Sequence, residues 1–374
     1  MNTVIETTPG EIEFEEAVFP GYIPRKPNSG QGGATPPGVI HWSWACRRLE
    51  TAPGVPLEDP GSAEPTAGDL ALVRVEKTGF HKHLTTTENR RLRLYPGAQF
   101  VGVFGNRYAS DAYEAEVEGP ENLSLLTGAG MIGTIKSKHE TMAGPTQISM
   151  VGFVRAAEGV RLNLKNRLFQ PATARRLPRN LIYIVGTGMN SGKTTTAARL
   201  IKGLSDQGLN VSACKLTGSV SNQDPDELAS AAARKVTDFS DFGFPSTYLC
   251  PKDELLGLFH AMIADVMAGS PDVVLMELAD GLLQRETAML LADPEIQRAA
   301  RGLVFAAESS LSALWGIERL QQLGYRVVAV SGKFTSSPLA IREFSQNHSS
   351  IPVVSSAGAG TELATRVRAF LRDE

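Results

Sequence analysis

Residues 181–196 read LIYIVGTGMNSGKTTT. Leu181 to Val185 form a short apolar, β-branched-rich run, as expected of a buried parallel strand. Gly186, Gly188 and Gly192 then let the backbone turn tightly and aim N–H groups at an anion. Lys193 is placed to reach the β- and γ-phosphates of a nucleotide, and the Thr194 hydroxyl to ligand Mg²⁺. A helix from Thr194 to about Asp206 adds the positive end of its dipole, with Ala197, Leu200, Ile201 and Leu204 as its core face. The expected nucleotide-binding set is Gly188, Met189, Asn190, Ser191, Gly192, Lys193, Thr194 and Thr195. The usual G-x-x-x-x-G-K-[ST] pattern has glycine where this chain has Thr187, with glycines on either side.

Outward from this loop the chain alternates strand and helix. NVSACKLTG, DPDELASAAARKV, LLGLFHAMIADVMAG, DVVLMELADG, GLVFAAES, ALWGIERLQQLG, RVVAVSG and a final TELATRVRAFLRDE follow one another. This rhythm predicts an α/β domain over 181–374 with a doubly wound, mostly parallel sheet and helices on both faces. Residues 67–167 differ: short alternating runs broken by Gly, Pro and Asn predict a smaller β-rich barrel or sandwich. Residues 1–66 read as a Pro/Gly-rich extension in which VIHWSWACRRLE can dock through Trp42 and Trp44, and 168–180 reads as a linker.

The 374 residues carry 37 Lys+Arg against 40 Asp+Glu, a net charge of −3, so a nucleic-acid partner is not expected. Cys46, Cys214 and Cys250 are far apart and form no CxxC, which implies neither a disulfide framework nor a zinc site. The acidic N-terminus lacks signal-peptide order and no apolar run is long enough to span a membrane, so the expectation is a cytoplasmic protein without a membrane partner.

Three segments belong at the carboxyl ends of strands, where doubly wound sheets bind ligands. Lys215-Leu216-Thr217-Gly218 ends the second strand, and a lysine there is expected to meet an anion or to emerge at the sheet edge. Lys215, with Lys193, is a catalytic candidate, and Lys215, Thr217 and Gly218 are the substrate candidates. Glu277 ends VVLMEL and is the expected metal partner of Thr194. Asp224 is either a second metal ligand or one of the capping and first-turn acids of a helix opened by DPDEL. Ser331, Lys333 and Ser336 sit where such folds recognise the base, and without an N-K-x-D signature they favour ATP over GTP. In the β-rich part, His81 and His83 share a strand face without a third ligand, and Arg90–Arg93 reads as an exposed strand face. Glycine-rich LLTGAGMIGTIKSKHE lacks the βαβ setting of a dinucleotide turn.

Taken together, these motifs resemble the dethiobiotin synthetase and cobyrinate amidase branch of the P-loop NTPases over about 181–360. GTGMNSGKT is similar to that branch's GTDTEVGKT, CKLTG to K-P-x-x-[ST]-G, and VLMELADGLL to V-x-V-E-G-A-G-G-L-L. Gly188 and Asn190 replace two acidic loop positions, and Leu278 and Asp280 stand in for glycines. The resemblance implies ATP and Mg²⁺ as cofactors, a small-molecule substrate and a homodimer. The leading expectation is ATP-dependent activation of a carboxylate or carbamate for amide or ligase-type bond formation. The alternatives are a small-molecule kinase and a nucleotide-gated accessory or switch protein.

Overall fold

Along the strand Leu181–Gly186, Leu181, Tyr183 and Val185 point into one apolar cluster while Ile182 and Ile184 point into another. A strand buried on both faces needs helices on both, and the flanking sequence provides them. The helices Lys193–Asp206, Gln223–Ser230 and Thr361–Arg372 cover the side of Ile182 and Ile184. Lys252–Met267, Arg285–Leu291, Pro294–Ala299, Ser310–Gln322 and Pro338–Asn347 cover the other. Tyrosines in this second layer keep their hydroxyls satisfied: Tyr183 donates to the Ile296 carbonyl and Tyr325 to that of Leu291, both at 3.0 Å.

The computed structural model describes residues 40–50, 56–61, 64–156, 159–171, 176–348, 350–355 and 360–373. The helices enclose a six-stranded sheet in the spatial order Lys235–Asp238, Val211–Lys215, Val273–Leu278, Leu181–Gly186, Gly302–Ala306 and Val327–Ser331. Every pairing in it is parallel. The chain passes from Leu181–Gly186 to one side of the sheet and later returns to the other side, so the order reverses beside this strand. Open α/β sheets bind ligands at such a reversal.

The β-rich region forms its own sheet. Leu70–Lys77 pairs with Gln99–Phe104 and Thr146–Val154, Thr146–Val154 with Ser124–Leu125, and Ser124–Leu125 with Met131–Lys138. Val103 and Phe104 then pair with Met131 and Ile132, which closes the ring. Closure removes the open edges of a small sheet, and Phe100, Phe104, Phe153 and Ile132 pack together in one of its cores. Most of the N-terminal extension lies outside the described residues. Its segment 40–50 docks, with Trp42 and Trp44 half-buried, but the polar anchor is Arg47. That side chain donates to Asp241 (2.6 Å) and Ser240 (2.9 Å) beyond the Lys235–Asp238 strand. The expected linker also packs: Phe169 meets Phe244 edge to face at 4.9 Å.

Arg47 is largely shielded from water and also stands 3.4 Å from the buried Asp238 carboxylate, which has no other cation in ion-pair range among the described residues, whereas Asp241 keeps Arg48 at 2.7 Å; removing Arg47 therefore strands Asp238. Arg47→Ala is expected to cost about 3 kcal/mol of stability in denaturant unfolding, against less than ~1 kcal/mol for the exposed pair partner in Lys202→Ala.

Candidate nucleotide-binding site

The segment that opened the sequence reading folds as strand, turn and helix. Gly192 caps the helix with φ +94, a left-handed conformation that favours glycine. Asn190 takes φ +60, which asparagine tolerates better than most residues. The loop is braced from two directions. Lys333 N–H donates to the Ser191 carbonyl at 3.0 Å, which puts the segment after the last strand against the loop. Gly281 presses on the other flank, where a Cβ would come within 2.4 Å of the Thr187 carbonyl oxygen.

Sheet register sets the charged centre. Glu277 is opposite Ile184 on one neighbouring strand and opposite Lys215 on the other. The predicted lysine, glutamate and loop threonine therefore converge. Thr194 Oγ1 donates to Glu277 Oε1 at 3.3 Å, and Lys215 Nζ stands 3.7 Å from the same oxygen. Lys193 Nζ donates to the carbonyls of Gly188 (2.7 Å) and Asp280 (2.5 Å). These groups are deeply buried: Lys193 is 6% exposed, Lys215 9% and Glu277 2%.

Burial works against every charge here. It lowers the Lys193 pKa, opposed by Glu277 and Asp280. It also works against the Lys215 ammonium, but Glu277 and Asp224 outweigh it and hold the pKa above that of an ordinary lysine. Burial pushes the Glu277 carboxyl up against the pull of Lys215 and Lys193. Glu277 Oε2 is buried with no hydrogen-bond partner, an arrangement that is costly unless a cation completes it. Together with the Thr194 hydroxyl, this orphaned oxygen fits Mg²⁺ chemistry. Among the described residues no group of three or more His, Cys, Asp or Glu is gathered for a metal, so phosphate oxygens and water would complete such a site.

Asp224 stands differently from its expected metal role. It lies in the first turn of Gln223–Ser230, whose N-cap is Asn222, and its Oδ2 accepts from Lys215 Nζ at 2.5 Å. The carboxylate is committed to the lysine because that buried ammonium needs a second anion. Thr217 does not face open space either: its hydroxyl donates to the Ala279 carbonyl, as Thr287 Oγ1 does at 2.7 Å. Gly218 N–H donates to Thr247 Oγ1 at 2.9 Å. Met189 and Asn190 turn away from the sheet toward the barrel, where Met189 packs against the cluster of Ala109, Ala112 and Tyr113. Asn190 Nδ2 donates to Asp111 Oδ2 at 2.6 Å.

The barrel thus brings residues that the sequence reading did not single out. Arg107, Tyr108 and Asp111 lie on the loop after Gln99–Phe104. Arg107 is within electrostatic reach of Asp280, and the Tyr108 ring packs at a tilt of 53° against Tyr248, centroids 5.6 Å apart. No local motif marks them, because their relevance comes from the other half of the chain. His81 and His83 do not act as a pair: His81 Nε2 accepts from Arg107 Nη1 at 3.3 Å, while His83 Nδ1 faces Arg91 Nη2 at 3.1 Å. Arg91 and Arg93 are exposed, as a solvated strand face should be.

Strand, glycine-braced turn, a lysine and threonine opening the helix after the Gly192 cap, and a carboxylate closing the adjacent strand give the C-terminal half a mixed α/β fold with a parallel sheet, consistent with a P-loop NTPase-like fold. No protein-family profile matches the chain, and neither does any curated protein. Solved structures with similarity include the signal recognition particle receptor FtsY from Elizabethkingia anophelis, at 16% identity and a TM-score of 0.33, over 56% of this chain and 70% of that one. The same receptor in complex with GDP gives 16% and 0.36 over 56% and 71%. Chloroplast FtsY from Physcomitrella patens gives 16% and 0.35 over 56% and 70%. Similarity this weak does not bear on function, and likeness to the dethiobiotin synthetase branch rests on the quoted motifs alone.

Burial and then Arg107 depress the His81 pKa to about 4 from an ordinary 6.5. The folded state therefore resists a proton that the unfolded chain accepts, and stability present above about pH 6.5 should fall as the pH drops toward 4. Unfolding of His81→Asn, followed against pH, should show a shallower loss across that window than the parent.

Proposed function

We propose that the chain binds a nucleoside triphosphate with Mg²⁺ and transfers its γ-phosphoryl group to a small-molecule acceptor. The observation that carries this reading is the buried Lys193–Thr194–Glu277 arrangement, with its unpartnered carboxylate oxygen, at the end of the central strands. Loop amides of 188–192 and Lys193 would hold the phosphates, and Thr194 with Glu277 would hold the metal. Asp224 would stand behind Lys215 rather than on the ion itself. When bound, Mg²⁺ neutralises charge on the β- and γ-phosphates. Lys193 would exchange its two carbonyl partners for phosphate oxygens. Lys215, charged and fixed by two carboxylates, would supply positive potential where the phosphoryl group moves. Phosphoryl transfer asks chiefly for such positioning and charge, and the cluster supplies both. ATP is the expected nucleotide from the missing guanine signature.

A nucleotide-gated switch is a second reading, favoured by one contact. The loop tip is tied to the barrel through Asn190 and Asp111, so a phosphate that reshapes residues 188–190 would be felt there. Turnover separates the two: a switch hydrolyses slowly whatever small molecule is supplied, whereas a transferase accelerates with its acceptor.

In calorimetric titrations, Lys193→Ala is expected to weaken binding of Mg²⁺–ATP by about 2 kcal/mol, or ~30-fold. Glu277→Gln should bind ATP in EDTA as the parent does but lose the gain on adding Mg²⁺. Equal binding by the parent and Lys193→Ala would remove the basis of the assignment.

A further inference from the structure

One cation of the barrel has no part in the site as described so far. Arg107 opens the turn 107–112, and that turn abuts the phosphate loop. Asp111 accepts from Asn190 at the loop tip (2.6 Å), and Ala109 and Ala112 pack with Met189. Tyr108 shares with Asp280 a narrow cleft of about 10 Å³, room for no more than a water, so barrel and Asp280 almost meet there. Asp280 in turn gives its carbonyl to Lys193 Nζ, as Gly188 does. Arg107 therefore approaches the loop on the flank occupied by Asp280 and Gly281, not on that of the Lys333 segment.

Groups of the barrel hold the guanidinium without neutralising it. Nη1 donates to the Leu126 carbonyl and to His81 Nε2 (3.3 Å), and Cζ lies 5.9 Å from the centre of the Tyr113 ring. His81 is kept neutral by burial, so it accepts a hydrogen bond but offers no negative charge. Arg107 Nε is buried with no hydrogen-bond partner, and the side chain forms no ion pair with any described residue. Asp111 and Asp280 act on it from beyond ion-pair distance, against the penalty of burial. A guanidinium in this setting is costly unless an anion completes it. Lys193, Lys215 and Arg107, each from a different element, all act on the Asp280 carboxylate, which makes no hydrogen bond to a described residue. Their fields converge beside the loop amides, where the terminal phosphate of a nucleotide held by residues 188–193 would lie.

We propose that Arg107 is a catalytic residue supplied by the barrel: in the nucleotide complex its guanidinium donates hydrogen bonds to the γ-phosphoryl oxygens and offsets the charge that spreads over them during transfer. This inference rests on the phosphoryl-transfer function proposed above. In the step itself an acceptor oxygen bonds to the γ-phosphorus as the bond from that phosphorus to the β,γ-bridging oxygen breaks. The nucleoside diphosphate leaves with the bridging oxygen and the bonding electron pair, and the acceptor's proton passes to solvent. Arg107 keeps its protons throughout, because a guanidinium stays charged, and contributes charge and direction rather than acid–base chemistry. An arginine presented in this way speeds phosphoryl transfer by roughly 10³-fold or more.

The test uses the full chain with Mg²⁺, ATP or GTP, their β,γ-imido analogues and the matching diphosphates, with water as the acceptor. Affinity is read by calorimetry and turnover by release of inorganic phosphate. Arg107→Ala is expected to bind the imido analogue about tenfold more weakly and the diphosphate as the parent does. Its phosphate release at saturating nucleotide should be roughly 1,000-fold slower. Arg107→Lys should regain most of the analogue affinity but little of the rate, because a point charge does not reproduce the planar fork. If Arg107→Ala fails to fold, Arg107→Gln, which keeps a donor for the Leu126 carbonyl, takes its place. Unchanged affinity for the imido analogue overturns the inference. So does an equal loss of diphosphate and analogue, the mark of a merely structural arginine, or phosphate release at the parental rate. Where the parent's own turnover is too slow to follow, the binding comparison decides alone. A parent that binds none of these nucleotides overturns the phosphoryl-transfer reading itself, which is a separate failure.

Discussion

The buried carboxylate of Glu277 is the group around which the rest of the site is arranged. A negative charge at the carboxyl end of a central strand, almost wholly removed from water, must be met by positive charge or by hydrogen-bond donors. Lys215 meets it from the adjacent strand and Thr194 from the first turn of the loop helix. Lys215 in turn requires Asp224, which anchors the following helix to the sheet. One oxygen remains unpartnered even so. A fold built only for stability would do better with an apolar side chain there, since burying well-packed apolar groups costs less than burying a charge left incomplete. Retention of the charge with its gap is an arrangement suited to a cation brought in with phosphate.

A second constraint ties this centre to the barrel. Barrel and sheet share apolar surface, with Val220 of the C-terminal half packed in the same cluster as Leu70, Val101 and Met131. Polar anchors fix their register: Arg47 on Asp241, Lys165 on Glu254 and Asn190 on Asp111. The last of these involves the loop tip itself. The barrel is consequently part of the wall around the candidate site, and its Tyr108 closes a cleft whose opposite side is formed by residues beyond the Glu277 strand.

The strand–turn–helix geometry of the glycine-rich loop, the two-faced burial of the parallel strands and the placing of Lys215 and Glu277 at strand ends were legible because each depends on local order. An apolar run of the right length followed by glycines, lysine and threonine has few other ways to fold, and the sign of a strand-end charge is visible in the chain. Barrel closure was legible only as one of two β architectures. Asp224 was read as a metal ligand or a first-turn acid, with metal favoured; its pairing with Lys215 was not legible, because Lys215 reaches it only once strand and helix pack. Asp280 appeared in the sequence merely as a departure from a glycine.

By itself, then, the sequence determined the α/β alternation, the loop and the charged residues available at the sheet's carboxyl edge. These follow from periodicity, backbone conformation and composition, which act within a few residues. Tertiary structure alone decided which charges pair, which oxygen is left without a partner, and that Arg107, Tyr108 and Asp111 stand beside a loop some eighty residues further along the chain. The physical reason is that electrostatics and packing act through space. The residues that share a cleft are fixed by sheet register and by the docking of the barrel, neither of which any single stretch of sequence contains.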